Sequence, residues 1–228
     1  VKDTLDKEQT RAALLELFEK LIGRYGALNW WPADTPFEVC VGAILTQNTN
    51  WLNVEKAIVN LKREGLLSAE ALREIDEGRL AELIRPSGFF NVKSARLKGF
   101  VGWLFERYGS LDAMFQGDWI GLREELSEVR GIGPETCDSI LLYAGGKPSF
   151  VVDAYTRRLF SRLGLMREED DYHRVRALFM DHLPAEVPLF NEYHALIVEQ
   201  CKRHCRKKPL CAGCPLSQFC PFPAAGRP

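Results

Sequence analysis

The sequence predicts an all-α fold. Apolar residues recur at helical spacing in segment after segment, and the alternation of a half-buried strand is nearly absent. The stretch LSEVRGIGPETCDSILLYAGGKPSFVVDAYTRR (126–158) reads as helix, tight hairpin, helix. There Gly131 and Gly133 flank Ile132, Pro134 suits a first helical turn, and Gly145-Gly146 ends the second helix. No internal repeat and no low-complexity segment interrupts the pattern.

Along the chain, residues 8–25 place Leu14, Phe18, Leu21 and Tyr25 on one helical face, and the aromatic loop Asn29-Trp30-Trp31-Pro32 follows. Residues 36–47 (PFEVCVGAILTQ) are apolar on nearly all sides and predict a buried helix. They end in the polar run Gln47-Asn48-Thr49-Asn50-Trp51, which is either a capping turn or a site. Helical spacing resumes over 52–63, and Ser68 and Asp76 are placed to cap the short helices after it. Pro86 and Gly88 break the chain before a helix reaching Tyr108, with Asn91 as its expected cap and Lys93, Arg96 and Lys98 near its start. Residues 111–115 and 119–127 give a short turn and the first hairpin helix; 154–163, 171–182 and 189–201 are helical again, after a short extended approach (149–152) to Asp153.

At 228 residues the chain can bury one large core or two small ones. A net charge of −1 gives no global sign of a polyanionic partner, so contacts to nucleic acid must come from local basic groups or from backbone N–H groups. The hairpin supplies such N–H groups, beside the N-terminus of the helix that follows. No apolar run has membrane-spanning length, and the charged N-terminal residues lack a secretory pattern, which predicts a cytoplasmic protein, nucleoid-associated in a prokaryote.

Five of the seven cysteines fall in the last 28 residues. Cys205, Cys211, Cys214 and Cys220 share a loop too cysteine-dense for chance in an intracellular chain, so a metal site is expected. A single C-x-x-C unit with longer spacers favours a [4Fe–4S] cluster over zinc, and spacing alone leaves both open. Lys202, Arg203, Arg206, Lys207 and Lys208 make the same loop a basic patch suited to phosphate.

Gln47, the segment Ser87-Gly88-Phe89-Phe90-Asn91-x-Lys93, the hairpin Gly131-Ile132-Gly133, Asp153 and the cysteine loop together resemble the endonuclease III branch of helix-hairpin-helix DNA glycosylases. The resemblance implies two helical lobes flanking a DNA-binding cleft. One would hold roughly residues 28–140 with the base pocket and hairpin; the other would combine 1–27 with 141–228, the catalytic aspartate and the cluster. It implies a monomer acting on double-stranded DNA with a damaged base, which is flipped out and cut from its sugar. Asp153 would be the catalytic carboxylate, Gln47 would fill the gap left by the base, and Gly131, Gly133 and Lys93 would contact DNA, with a monovalent cation on the hairpin carbonyls.

Two departures narrow this. Endonuclease III has a lysine, the Schiff-base nucleophile, where this chain has Glu135; a carboxylate forms no imine, so strand cleavage is not expected. Five residues rather than six separate Cys205 from Cys211, which leaves Cys201 as an alternate first ligand. Trp30-Trp31-Pro32, GAILTQNTNW, RPSGFFN and GIGPE followed by VVDAY are similar to the MagIII type of 3-methyladenine glycosylase, which implies a base pocket of Trp30, Trp31 and Trp51 with Glu135 beside it. Members of that type lack the cysteine loop present here.

The chemistry is consistent with this resemblance. A methylated adenine is cationic, stacks on indole and is already a good leaving group. A carboxylate near C1′ then stabilises the oxocarbenium-like sugar or orients water. Asp153 would also cap the helix that starts at Ala154 whatever its chemistry. Three alternatives remain: an endonuclease III-like enzyme for oxidised or mismatched pyrimidines, a non-catalytic DNA-binding module, and a zinc-stapled structural protein. His194 is expected to be a structural hydrogen-bonder.

Overall fold

The computed structural model describes residues 6–31 and 33–222. Pro32 of the aromatic loop lies outside them. Among the described residues there are twelve α-helices, one 3₁₀ turn, one π turn and no strand. They form two compact units: residues 31–147, and residues up to 30 together with 148 onward.

The unit 31–147 is built on α2 (Pro36–Leu45). Thr35 caps it through Glu38 N, Pro36 opens it, and every residue from Phe37 to Leu45 is buried. An all-round apolar helix can only be central. Around it pack α3 (Trp51–Arg63), α4 (Ala69–Glu74), α5 (Glu77–Leu83), α6 (Phe90–Arg107), α7 (Leu111–Gln116), α8 (Trp119–Glu128) and α9 (Pro134–Ser139), the last continuing into the π turn Ile140–Ala144. Cys40, Ile44, Leu61, Leu97, Phe100, Leu104 and Ile140 are among the residues of one shared core.

Ser68 and Asp76 cap α4 and α5 as their sequence positions require. Asn91 does not cap α6. The helix begins two residues earlier than that cap implies, at Phe90, and its N-cap Phe89 has left-handed backbone (φ 47°) with no side-chain cap. The preceding 3₁₀ turn (Arg85–Ser87) brings the chain in so tightly that the cap position falls on an aromatic residue.

The second unit holds α1 (Lys7–Tyr25), α10 (Ala154–Arg162), α11 (Tyr172–Met180) and α12 (Val187–Arg203). Asp6 and Gln9 form a reciprocal capping box at the start of α1. The extended stretch 149–152 runs through the core, where Phe150 stacks on Phe179 with centroids 3.8 Å apart. Tyr193 of α12, fully buried, donates its hydroxyl to Leu14 O of α1 at 2.8 Å. This packing fixes α12 against the approach to Asp153.

Candidate active site and metal centre

In the unit 31–147, α2 leaves no side chain at Gly42, and aromatic rings occupy that space. A Cβ there would lie 3.3 Å from Trp31 Cζ2 and 3.6 Å from Trp51 Cη2. Trp31 meets Trp51 edge-on at 5.1 Å and Tyr143, from the π turn, at 5.0 Å. Trp51 Nε1 donates to Glu55 Oε1 at 2.7 Å, which sets a carboxylate at the edge of this aromatic trio. Two of the three expected pocket tryptophans therefore come together, with Tyr143 as a third ring. Trp30 belongs to the other unit, where the Lys202 ammonium lies 5.2 Å from its ring centroid.

Gln47 sits just after α2 and is engaged at both ends of its amide. Its Nε2 donates to Gly131 O and to Thr136 Oγ1, each at 2.9 Å, and its Oε1 accepts from Arg96 Nη1. Arg96 explains Gly131 a second way: besides its φ of +91°, any Cβ there would fall within 2.5–2.7 Å of the Arg96 stem. The exposed Gly133 starts α9, and exposed Glu135 stands in its first turn. The carbonyls of Val129, Gly131 and Gly133 each accept one hydrogen bond, from Ile132 N, Gln47 Nε2 and Cys137 N.

The expectation that Lys93 contacts DNA is corrected. Lys93 is 1% exposed and its ammonium donates to Leu45 O at 2.8 Å and Ser87 O at 2.7 Å. Burial, with Arg96 nearby, pushes its pKa down to about 8. Lys98 is turned inward in the same way, onto the carbonyls of Leu72, Arg73 and Ile75. The basic start of α6 thus neutralises the C-terminal carbonyls of α2 and α4. What projects from this segment is Phe89, 67% exposed on its left-handed backbone.

In the second unit Asp153 is the N-cap of α10. Its Oδ1 accepts from Thr156 N at 2.7 Å and Thr156 Oγ1 at 3.0 Å, and its Oδ2 lies 3.5 Å from His194 Nε2. Burial raises the pKa of this carboxyl, but His194 and the two Thr156 hydrogen bonds outweigh it, so the net direction is down. Asp153 is therefore an ionised acid in a largely buried place. The sequence reading missed the facing of Asp153 by His194. The available signal was a polar residue immediately before the apolar run Ala195-Leu196-Ile197-Val198.

The four loop cysteines line one cavity of about 380 Å³, part of it open to solvent, whose apolar wall includes Leu159, Leu163, Leu210 and Leu216. Among the described residues, no three His, Cys, Asp or Glu side chains converge as ligands of a single ion. The expected ligand set is thus spread around a cavity rather than gathered at a point. Donors face two of the thiols: Arg162 Nη1 lies 3.3 Å from Cys205 Sγ, and Gln200 Nε2 lies 3.1 Å from Cys214 Sγ. The neighbouring Cys201 thiol and the Arg162 guanidinium hold the pKa of Cys205 below the ordinary thiol value. Cys201 is outside the cavity lining and turns its Sγ towards Tyr155 O. Four thiols around one volume, with an arginine at the first, fit a cluster that is bound at its corners.

A family model described as HhH-GPD superfamily base excision DNA repair protein matches residues 41–185, a span that takes in Trp51, Tyr143, the hairpin and Asp153. The chain belongs to that superfamily. This helix-hairpin-helix glycosylase is 50% identical, over 94% of its length and 98% of the relative's, to a Methanocaldococcus jannaschii protein provisionally named a DNA repair glycosylase. The crystal structure of Helicobacter pylori 3-methyladenine DNA glycosylase (MagIII) bound to 1,N6-ethenoadenine is similar to it with a TM-score of 0.70 and 32% identity, covering 87% of this chain and 98% of that one. A non-covalent endonuclease III–DNA complex shares the fold with a TM-score of 0.78 and 24% identity over 96% of each chain. Thermotoga maritima endonuclease III is 30% identical over 82% of this chain and 83% of that one, and the glycosylase falls in the endonuclease III branch.

Proposed function

We propose that this glycosylase is monofunctional and releases an alkylated purine, with 3-methyladenine as its type substrate, leaving an abasic site. The observation that carries the reading is the trio Trp31, Trp51 and Tyr143 around Gly42, with the Glu55 carboxylate on the Trp51 indole. A cationic base gains about 0.5–2 kcal/mol from each such ring, and a neutral pyrimidine gains no comparable cation–π term. A nearby carboxylate strengthens that preference. The similarity to a MagIII structure holding an alkylated purine supports the same substrate class.

In this reading Asp153 stabilises the sugar cation or orients water with Oδ2, while Oδ1 remains in the helix cap. Glu135 stands where a lysine would make the imine, so the reaction stops at hydrolysis. Phe89, exposed and held on strained backbone, suits a wedge that enters the base stack beside the flipped nucleotide. Gln47, pinned to the hairpin carbonyl, would carry the hairpin's position into that gap. Cys205, Cys211, Cys214 and Cys220 would hold a [4Fe–4S] cluster; bound there, it supplies a rigid frame for the basic loop.

The test incubates the purified protein with duplexes carrying 3-methyladenine, 1,N6-ethenoadenine, uracil or thymine opposite guanine, or oxidised pyrimidine, and scores released base and strand breaks separately. Release of methylated adenine with intact abasic strands is expected, and Trp31→Ala should lower it by about tenfold or more. Excision confined to uracil, thymine or oxidised pyrimidines would sink the alkylpurine reading, and a borohydride-trappable imine would sink the monofunctional one.

A further inference from the structure

We infer that His194 is a positioning residue for the base-release reaction, because its Nε2 faces the one Asp153 oxygen that the helix cap leaves over. The inference rests on the reading of Asp153 as the catalytic carboxylate.

The geometry divides the carboxylate in two. Oδ1 takes both the N–H and the O–H of Thr156, so it is committed to the first turn of α10. Those two bonds hold Oδ1 and leave Oδ2 to a partner on the other side of the carboxylate. His194 stands on that side, with Nε2 3.5 Å from Oδ2. The imidazole itself is rigidly placed: it lies on α12 next to Tyr193, whose buried ring packs among Phe150, Phe160 and Phe179 and whose hydroxyl is bonded to α1. His194 is itself buried at 6% exposure. A carboxylate in such a setting would be driven towards its neutral form by desolvation alone. An Nε2–H donor against Oδ2 keeps the oxygen charged and aimed while leaving one lone pair for the sugar or for water.

A histidine kept only for packing would be replaceable by any side chain of its size. A positioning histidine is replaceable only by one that presents an N–H at the same place. Glutamine does this, with an amide N–H at a similar reach; leucine fills similar volume and cannot donate.

The experiment compares His194→Leu, His194→Gln and Asp153→Asn with wild type. The readouts are the single-turnover rate on whichever lesion duplex the wild type processes, the affinity for the same duplex, and the melting temperature. The Leu variant should lose about tenfold or more in rate with DNA affinity unchanged, and the Gln variant should recover most of that loss. A Leu variant with the wild-type rate, or a Gln variant as slow as Leu, overturns the inference. If Asp153→Asn keeps the wild-type rate, the reading of the acid fails and the inference fails with it. An inactive Asp153→Asn beside a fully active Leu variant isolates the failure to His194.

Discussion

Two aspartates, Asp138 in α9 and Asp153 ahead of α10, face their surroundings in different ways. Asp138 is 0% exposed and gives both oxygens to the fork of Arg123, at 2.7 and 2.9 Å. Asp153 gives one oxygen to Thr156 and turns the other to an imidazole. A guanidinium never releases its proton and takes the carboxylate in two parallel bonds, so Asp138 is locked into α8 and α9 packing. An imidazole donates one bond at most to a given oxygen, so Oδ2 of Asp153 keeps the lone pairs that its proposed role requires. Two largely buried acids thus differ in the identity of the second partner rather than in burial.

That contrast can be broken experimentally. Asp153→Asn keeps an oxygen for the Thr156 cap but removes the charge. Base release should fall by about 10²–10³-fold with the melting temperature little changed, as seen in single-turnover assays and thermal melts. If the Asn variant unfolds instead, Asp153 belongs with Asp138. Asp138→Asn should do the reverse. Removing the charge that the Arg123 fork grips costs about 3–5 kcal/mol, read by denaturant titration, while the rate per folded molecule should hold.

A smaller effect concerns Lys93. Its pKa is lowered by burial to about 8 from 10.5, so between those values the unfolded chain binds the proton and the folded chain does not. Stability from this group therefore rises with pH across that window and is lost as pH falls through about 8. Lys93→Met should flatten that slope in denaturant melts at pH 8 and pH 10; an unchanged slope would show that the ammonium stays charged between its two carbonyls.

Much of this was legible in the sequence because it is local. The buried α2, the caps Ser68, Asp76 and Asp153, and the glycine hairpin are each specified by residues within one or two turns. Lys93 was misread because a lysine at helix spacing looks solvated until the free carbonyls of a distant helix end are brought to it. Gln47 read correctly as a polar residue after a buried helix, but its bonds to Gly131 and Thr136 join segments far apart in the chain. The density of the cysteines showed from spacing; their distribution around a cavity depends on how α10 and α12 pack.

Helix α10 has a consequence of its own. Asp153 caps one end, and towards the other Arg158 donates to Cys205 O at 2.7 Å while Arg162 grips the carbonyls of Arg206 and Lys207. Nine residues of helix span roughly 13 Å, past the ~8 Å reach of surface charge at physiological salt. The acid and the cysteine loop are thus the two ends of a stiff rod. The contacts that hold the loop backbone are made by the same helix whose first turn Asp153 caps.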